Sequence, residues 1–219
     1  EYLPNWAEDL YGSGNRTGRQ AGCGEFPRGF RVVFAGNLGA GQSLETLLRA
    51  AEALREVPDI HWVVIGDGRR RSWLAEQVTH RGLGKTVHLV GSRSLEDMPA
   101  CFAAADALLV TLAPAPLFAL TIPSKIQSYL AAGKPIIGAL DGEGARVVAE
   151  AEAGIAVPAG ADTDLARAVL TLRELPAAER AAMGLRGRRY FEQHFCRDRL
   201  IDRFEAALGA VTRSERGGG

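Results

Sequence analysis

The sequence predicts an α/β domain built on a mostly parallel, doubly wound sheet. Short apolar runs recur between residues 31 and 158, and they are unbroken, as is typical of strands covered on both faces. Segments with a helical spacing of apolar residues separate the runs, and this alternation favours right-handed crossovers between parallel strands. We therefore expect a Rossmann-like sheet of about six strands with helices on both faces, ending in a long C-terminal helix.

The predicted strands are RVVFAG (31–36), HWVVIGD (61–67), TVHLVG (86–91), ALLVTL (107–112), KPIIGAL (134–140) and GIAVP (154–158). A first helix is predicted between the first two strands, because apolar side chains recur there on one helical face, at Leu44, Leu47, Leu48, Ala51 and Leu54. Further helices are predicted over residues 70–82, 95–105, 122–132 and 143–153. The remaining residues, 162–211, are helical in pattern throughout.

The same patterns predict the segments of the chain. Residues 1–30 are predicted to be an N-terminal linker and mobile segment, because 12–29 are rich in Gly, Arg and Asn and lack apolar periodicity. Residues 31–211 form the predicted domain, and residues 212–219 a disordered tail. The sequence lacks an initiator Met and opens abruptly, so we expect it to be a fragment of a longer protein.

The composition excludes some classes of partner. Hydrophobic residues make up 47% and charged residues 24% of the chain, and the formal net charge is zero. A zero net charge provides no global attraction for nucleic acid, and no apolar run reaches the ~18 residues of a membrane-spanning helix. We expect no nucleic-acid partner and no transmembrane segment in this chain.

Metal binding and cofactor chemistry have little support in the sequence. The three cysteines, Cys23, Cys101 and Cys196, lack metal-ligand spacing, and they indicate a reducing compartment. The histidines are isolated from one another in the sequence, and His88 is interpreted as a core residue of a strand. A Ser/His/Asp nucleophile would need a GxSxG elbow, which we do not find. We expect no metal and no cofactor.

The strongest functional signal is a lysine at a predicted helix start. Pro114 and Pro116 fix an extended loop, Pro123 suits the first helical turn, and Lys125 follows within that turn. A cation there is disfavoured by ~0.3–1 kcal/mol, because a helix N-terminus carries partial positive charge. Lys125 therefore makes most sense if an anion, typically a phosphate, binds at the same place.

Glycine-rich turns follow several predicted strands at the same edge, where ligands bind in open parallel sheets. The turn Gly36–Gly41 reads GxxGxG, which brings main-chain N–H groups within reach of a phosphate but matches neither the dinucleotide nor the phosphate-loop spacing. Structural interpretations stay open beside the functional ones: a tight turn, helix caps at Asp67 and Ser94, and a favourable acid at a helix start for Glu143.

Several segments together resemble one family. They are YLPNW, FAGNLGAGQSLETLL, VVIGDG, VHLVGSRSLEDMPACFAAADALLV and PSKIQSYLAAGKPIIGALDGEGARVV. In order and spacing, over residues 1–211, they look like the C-terminal half of a retaining glycosyltransferase of the GT-B fold. Within that class the chain most resembles bacterial enzymes that build capsule, O-antigen or colanic-acid repeat units.

The resemblance implies that this domain holds a nucleotide-diphosphate sugar, with a UDP-sugar as the family-level expectation, and that Lys125 is the catalytic cation at the diphosphate. It also implies that the Gly91–Ser94 loop borders the base, and that the helix from Pro123 and the Gly142–Gly144 turn border ribose and sugar. The implied donor-binding residues are Gly36, Asn37, Gly39, Gly41, Gly66, Gly91, Ser92, Arg93, Pro123, Ser124, Ser128, Gly142, Glu143 and Gly144.

The chain departs from the family at two positions. Many members carry two glutamates eight residues apart, and this chain has Leu120 and Ser128 there. The second glutamate normally binds ribose hydroxyls, and a serine can make one such hydrogen bond but not a bidentate contact. The departure suggests altered donor contacts or reduced activity, and our hypothesis is that Gln127 or Glu143 substitutes.

The function implied by the resemblance is metal-independent transfer of a hexosyl or N-acetylaminosugar group in surface polysaccharide biosynthesis. An N-terminal domain outside this chain would bind the acceptor glycan or lipid-linked saccharide, so the isolated domain is expected to be inactive. The expected location is the cytoplasm, or peripherally the inner membrane face for the full-length protein. Two alternatives stay open: a non-catalytic nucleotide-binding module, and a sugar-nucleotide epimerase of the same architecture.

Overall fold

The computed structural model describes residues 26–216, and in that range six parallel strands form one sheet. The strands are β1 (Phe30–Ala35), β2 (Ile60–Ile65), β3 (Val87–Gly91), β4 (Ala107–Thr111), β5 (Ile136–Ala139) and β6 (Gly154–Val157). Their order across the sheet is β3-β2-β1-β4-β5-β6, so the direction of winding reverses between β1 and β4. The predicted fold class is confirmed.

Helices cover both faces of this sheet. They are α1 (Leu44–Ala53), α2 (Arg71–His80), α3 (Met98–Ala103), α4 (Pro116–Ala119), α5 (Ser124–Ala132), α6 (Gly142–Glu150), α7 (Asp162–Glu174), α8 (Ala177–His194) and α9 (Arg197–Arg216). Short 3₁₀ helices lie at Ala40–Gln42 and Leu95–Asp97, and Ser94 caps the second, as the sequence predicted. In the described part of the chain, no helix combines the length and the apolarity needed to cross a bilayer.

Alternate residues of the central strands supply two buried layers. Val32 and Phe34 of β1 pack in one cluster with side chains of α1, α2 and α7. Val33 and Ala35 pack in a second cluster, on the other face, with side chains of α3, α5 and α6. Because both faces of β1 are buried from residue 32 onward, residues 32–35 form an unbroken apolar run, and the sequence signal has this physical cause.

Helix α5, which carries the predicted catalytic lysine, is fixed at its C-terminal end. Gly133 ends the helix in a left-handed conformation with φ of 67°. Helix α8 crosses so closely that a Cβ on Gly184 would lie 2.1 Å from the carbonyl oxygen of Gly133. Lys134 Nζ donates to two carbonyl oxygens at the end of α3, at 2.6 and 2.8 Å. These contacts fix the C-terminal end of α5 relative to α8 and to the end of α3.

The structure corrects the sequence prediction at two places. The loop between β4 and α5, predicted to be extended, contains α4, with Pro116 at the first position, where the missing N–H is not needed. The predicted disordered tail, 212–219, overlaps α9, because no Gly or Pro interrupts the sequence between Val211 and Arg216. The predicted linker lies outside the described residues up to residue 25, as do residues 217–219.

The cysteines also differ from expectation. Cys101 on α3 is disulfide-bonded, whereas Cys196 is a free thiol. The reducing compartment expected from the sequence would leave thiols free, and the disulfide at Cys101 does not follow that expectation. Disulfide formation depends on the spatial approach of two Cα atoms, which spacing along the sequence does not reveal.

Two histidines that are isolated in the sequence are neighbours in the sheet. His61 Nδ1 on β2 lies 3.1 Å from His88 Nε2 on β3, and both side chains are half-buried. His88 lies in a strand, as the sequence predicted, but it is half-buried and is not isolated from His61, because adjacent parallel strands bring residues of distant sequence together. Burial, and in second place the neighbouring His61, lowers the pKa of His88.

We predict that protonation of His88 destabilises the domain in acid. Because the pKa of His88 is lower in the folded chain, the unfolded chain binds more protons as the pH falls through the ordinary value of about 6.5. His88→Gln should therefore make the free energy of unfolding less dependent on pH than in the wild type, between about pH 7.5 and about pH 5, in urea titrations. His80→Gln, at an exposed histidine, is the control, and equal pH dependence in the wild type and His88→Gln would contradict the prediction.

Candidate functional site

A cavity of about 410 Å³ opens at the carboxyl ends of β1, β2 and β3, beside the start of α5. Open α/β sheets bind ligands at this edge, next to the point where the strand order reverses. Part of its wall is apolar and comes from Ile65, Met98 and Phe102. The structure brings together eight of the predicted site residues in the cavity lining: Gly36, Asn37, Gly66, Ser92, Arg93, Ser124, Lys125 and Ser128.

The loops after β1 and β2 are joined by main-chain hydrogen bonds. The N–H of Leu38 donates to the carbonyl oxygen of Asp67 at 2.8 Å, and the N–H of Arg70 donates to that of Leu38 at 3.0 Å. Gly66 has a φ of +138°, and a Cβ there would lie 1.9 Å from the carbonyl oxygen of Gly36. Two backbones in direct contact therefore form this side of the cavity.

Lys125 lies in the first turn of α5 with its side chain across Gly36. A Cβ on Gly36 would lie 2.6 Å from Lys125 Cε. Lys125 Nζ is 3.8 Å from the ring centroid of Phe34 and donates a hydrogen bond to Gln42 Oε1. Burial of the amine lowers the pKa of Lys125 to about 7. Within residues 26–216, no carboxylate forms an ion pair with this lysine.

Gln42, which contacts Lys125 from outside the cavity lining, is a residue that the sequence analysis missed. It ends the 3₁₀ helix Ala40–Gln42, and its carbonyl oxygen accepts a hydrogen bond from Thr111 Oγ1. The preceding carbonyl oxygen, of Gly41, accepts from the N–H of Ala113 at 2.9 Å. These two bonds fasten the glycine-rich turn to the end of β4. The available sequence signal was the position of Gln42 directly after that turn.

Arg93 is a second cationic side chain in the cavity lining. Its Nη1 donates to the carbonyl oxygens of Val90 and Ser92, at 2.6 and 3.1 Å. Its Nε is buried and has no hydrogen-bond partner among the residues that the structure describes. A buried donor without an acceptor is unfavourable, so an acceptor atom of a ligand would be stabilised there.

The remaining predicted site residues are placed outside the cavity lining of the described structure: Gly39, Gly41, Gly91, Pro123, Gly142, Glu143 and Gly144. Gly39 precedes the 3₁₀ helix of the glycine-rich turn, and a Cβ on Gly41 would lie 2.8 Å from the ring of Phe118. The carbonyl oxygen of Gly91 accepts from the N–H of Gly66 at 3.0 Å. Gly41 therefore serves close packing beside the cavity, and Gly91 adopts a φ of +74° that favours glycine.

The start of α6 is packed against the elements before it. A Cβ on Gly142 would lie 2.0 Å from the carbonyl oxygen of Ala119, and one on Gly144 would lie 3.1 Å from Pro123 Cδ. Glu143 is half-buried, with its side chain 44% exposed, and its Oε2 accepts from Arg146 Nη2 at 2.6 Å. The structure therefore gives these residues packing and surface contacts.

The positions of the missing glutamates also have a defined geometry. Leu120 is 75% exposed, and Ser128 Oγ donates to the carbonyl oxygen of Ser124 at 3.3 Å. Gln127 is buried, and with its amide nitrogen turned toward the start of α5 it donates to two carbonyl oxygens there, at 2.9 and 3.1 Å. Gln127 and Glu143, the hypothetical substitutes, are thus held away from the cavity lining in the described structure.

The sequence that forms this cavity matches a known protein family. Residues 29–174 match the family model described as Glycosyl transferases group 1. This chain belongs to that glycosyltransferase family. Its likeness to part of HepE from Anabaena, in a crystal structure with UDP and glucose, has a TM-score of 0.71 at 22% identity, over 83% of this chain and 48% of HepE. The likeness to the pneumococcal O-GlcNAc transferase GtfA, in complex with UDP and GlcNAc, has a TM-score of 0.69 at 16% identity, over 96% of this chain and 38% of GtfA.

Two further relatives help to define which part of a glycosyltransferase this is. The C-terminal domain of the group 1 protein LpcC from Francisella tularensis has a TM-score of 0.61 at 18% identity, over 77% of this chain and 87% of that domain. WcaI of Escherichia coli strain K12, named as a colanic acid biosynthesis glycosyl transferase, is 30% identical over 102 residues, which are 47% of this chain and 24% of WcaI. The chain spans about half the length of HepE. It has the C-terminal half of a GT-B fold, as the sequence resemblance implied.

We predict that a side chain at Gly66 disrupts this site. Gly66→Ala should lower the free energy of unfolding by ~2 kcal/mol or more, because the new Cβ meets the Gly36 backbone and the positive φ is strained. The matched control is Gly84→Ala, where no atom lies within 4 Å of the added Cβ, and its effect should stay within ~0.5 kcal/mol. Urea unfolding measures both, and equal stability of the two variants would contradict the packing described here.

Proposed function

We propose that this domain binds a nucleotide-diphosphate sugar, with UDP as the nucleotide, as the donor of a glycosyl transfer. The observation that carries the proposal is the buried Lys125 amine, held against the backbone of Gly36 and without a counter-charge in the described structure. A diphosphate would supply that charge, and the start of α5 would add main-chain N–H donors. HepE and GtfA, which have this fold, were crystallised with UDP, and this supports the choice of nucleotide.

The chemistry of transfer suits this arrangement. As the bond between the anomeric carbon and the diphosphate oxygen breaks, the departing nucleoside diphosphate gains negative charge. Charged Lys125 and the N–H groups at the start of α5 can stabilise that charge. We therefore propose metal-independent transfer, without a cofactor, in which Lys125 is the catalytic group. The group transferred would be a hexose or an N-acetylaminosugar, in line with the glucose and GlcNAc named for the complexes of HepE and GtfA.

The acceptor part of the proposal rests on the relatives. We propose that a second domain binds an acceptor glycan or lipid-linked saccharide, because the chain spans about half of HepE, and that the isolated domain binds donor without transfer. The name of WcaI supports a role in surface polysaccharide biosynthesis. Such a protein would work in the cytoplasm or peripherally at the inner membrane face.

One observation favours a second candidate function, a non-catalytic nucleotide-binding module. The described cavity lining has Ser128 in place of a family glutamate, and Leu120 replaces the other. A module of this kind would bind the nucleotide-sugar without releasing nucleoside diphosphate.

Binding of UDP should depend on Lys125. Lys125→Met should weaken UDP binding about 10–100-fold in calorimetry, which corresponds to the loss of a charge-assisted hydrogen bond of ~1.5–3 kcal/mol. Lys85→Met, at an exposed lysine, removes the same charge and should change the affinity less than twofold (about the error of calorimetry). The variant is expected to stay folded, because the buried amine is disfavoured as a cation in the folded chain. A change below about threefold in Lys125→Met would reject this role.

Catalysis should be seen in the full-length protein. With a UDP-sugar and a lipid-linked saccharide, we expect release of UDP that is insensitive to EDTA, and Lys125→Met should lower kcat by about 10²–10³-fold, as does loss of one group that stabilises a developing anion. The same full-length protein carrying Lys85→Met is the control. Binding of UDP-sugar without any transfer would favour the non-catalytic module instead.

A further inference from the structure

The partner of Lys125 in the ligand-free structure is neutral. The hydrogen bond from Lys125 Nζ goes to an amide oxygen, Gln42 Oε1, from a residue 83 positions away in the sequence. An amide oxygen accepts from a neutral amine and from an ammonium alike. It therefore holds the amine in one place in both protonation states, and it leaves the charge of the ammonium uncompensated.

Gln42 is itself firmly held. Its carbonyl oxygen accepts from Thr111 Oγ1, and Thr111 is fully buried at the end of β4. Its N–H donates to the carbonyl oxygen of Gly39 at 3.2 Å. The amide side chain therefore extends from a fixed backbone toward Lys125, so that the amine is fixed from the sheet as well as from α5.

The other charged or titratable side chains of the cavity make their described hydrogen bonds and ion pairs with groups other than Lys125, although Arg93 Nε has no hydrogen-bond partner in the described part of the chain. Asp67 Oδ1 accepts from the N–H of Gly68 at 2.7 Å, and its Oδ2 lies 4.0 Å from Arg71. Arg93 donates to main-chain oxygens. Tyr129 Oη accepts from the N–H of Ala35 at 3.0 Å. Within residues 26–216, desolvation is thus the cause that governs the charge of Lys125.

We propose that Gln42 is a positioning residue of the donor site: its neutral amide oxygen places the Lys125 amine beside Gly36 and leaves its positive charge available to a diphosphate. This role rests on the proposed function. A glutamate at position 42 would also place the amine, but it would neutralise the ammonium and repel the diphosphate. An apolar side chain would leave the amine without an acceptor. Neutrality and hydrogen bonding are therefore both required.

The role has a consequence for proton binding. The Lys125 amine becomes a stable ammonium when an anion is beside it, because an opposite charge at close range favours the charged form. Binding of a diphosphate near or above neutral pH should therefore be accompanied by proton uptake at Lys125, since burial lowers its pKa to about 7 in the free protein.

The experiment measures the titration of Lys125 directly. The chain has three lysines, Lys85, Lys125 and Lys134, so ¹³Cε-labelled lysine gives three signals in a carbon–proton spectrum, and Lys125→Met identifies the signal of interest. The 219-residue chain is titrated with and without saturating UDP, as the wild type and as Gln42→Glu and Gln42→Met. The matched control is Gln193→Glu, which adds the same charge at an exposed position of α8.

The two Gln42 variants should shift the protonation midpoint of Lys125 in the free protein in opposite directions. In the wild type, bound UDP should raise the protonation midpoint of the Lys125 amine by about one pH unit or more. Gln42→Glu should raise the midpoint of the free protein by a similar amount, reduce the further rise with UDP, and weaken UDP binding about tenfold. Gln42→Met should lower the midpoint and weaken binding about tenfold near pH 8, because the amine has lost its acceptor. Gln193→Glu should match the wild type.

Two results would overturn this role. An unmoved Lys125 midpoint in both Gln42 variants, with UDP still bound by the wild type, would reject the positioning role of Gln42 and leave the proposed function intact. Failure of UDP to bind the wild type would reject the proposed function and the positioning role with it. Since Gln42→Glu is nearly isosteric, it tests the charge argument even if Gln42→Met fails to fold.

Discussion

The site depends on one constraint, which is that the amine of Lys125 is buried without a counter-charge in the described structure. The start of a helix is an unfavourable place for a cation. The amine is also buried, and this burial lowers the pKa of Lys125 to about 7. Folding holds the amine there with a neutral acceptor and an aromatic ring. This arrangement costs stability in the free protein, and an anion bound beside the amine would recover it.

The rest of the fold serves the placement of that amine. The sheet order brings β1 next to β4 at the reversal of winding, so the glycine-rich turn after β1 docks on the end of β4 through the Thr111–Gln42 contact. Close crossing of α8 over the end of α5, at Gly184, fixes the helix from the opposite end. Glycines in both regions allow backbones to touch where a Cβ would clash. The position of Lys125 thus depends on contacts spread over most of the domain.

The sequence predicted the fold because burial on both faces leaves unbroken apolar runs in strands such as β1, and that signal is local. It also indicated Lys125 as a candidate site residue, since a cation in a first helical turn is a local anomaly, and the structure places Lys125 in the cavity lining. It did not reveal Gln42 or the His61–His88 pair, because these contacts join residues that are distant in sequence. A glutamine after a glycine-rich turn has no local property that distinguishes it from a surface residue.

A crystal structure of the 219-residue chain with UDP would test the central claim most directly. The account predicts that oxygens of the diphosphate lie ~2.7–2.9 Å from Lys125 Nζ and within hydrogen-bond distance of main-chain N–H groups beside Gly36 or at the start of α5. Gln42 should remain in contact with the same amine. UDP bound with its diphosphate away from Lys125, or bound elsewhere on the domain, would contradict the account.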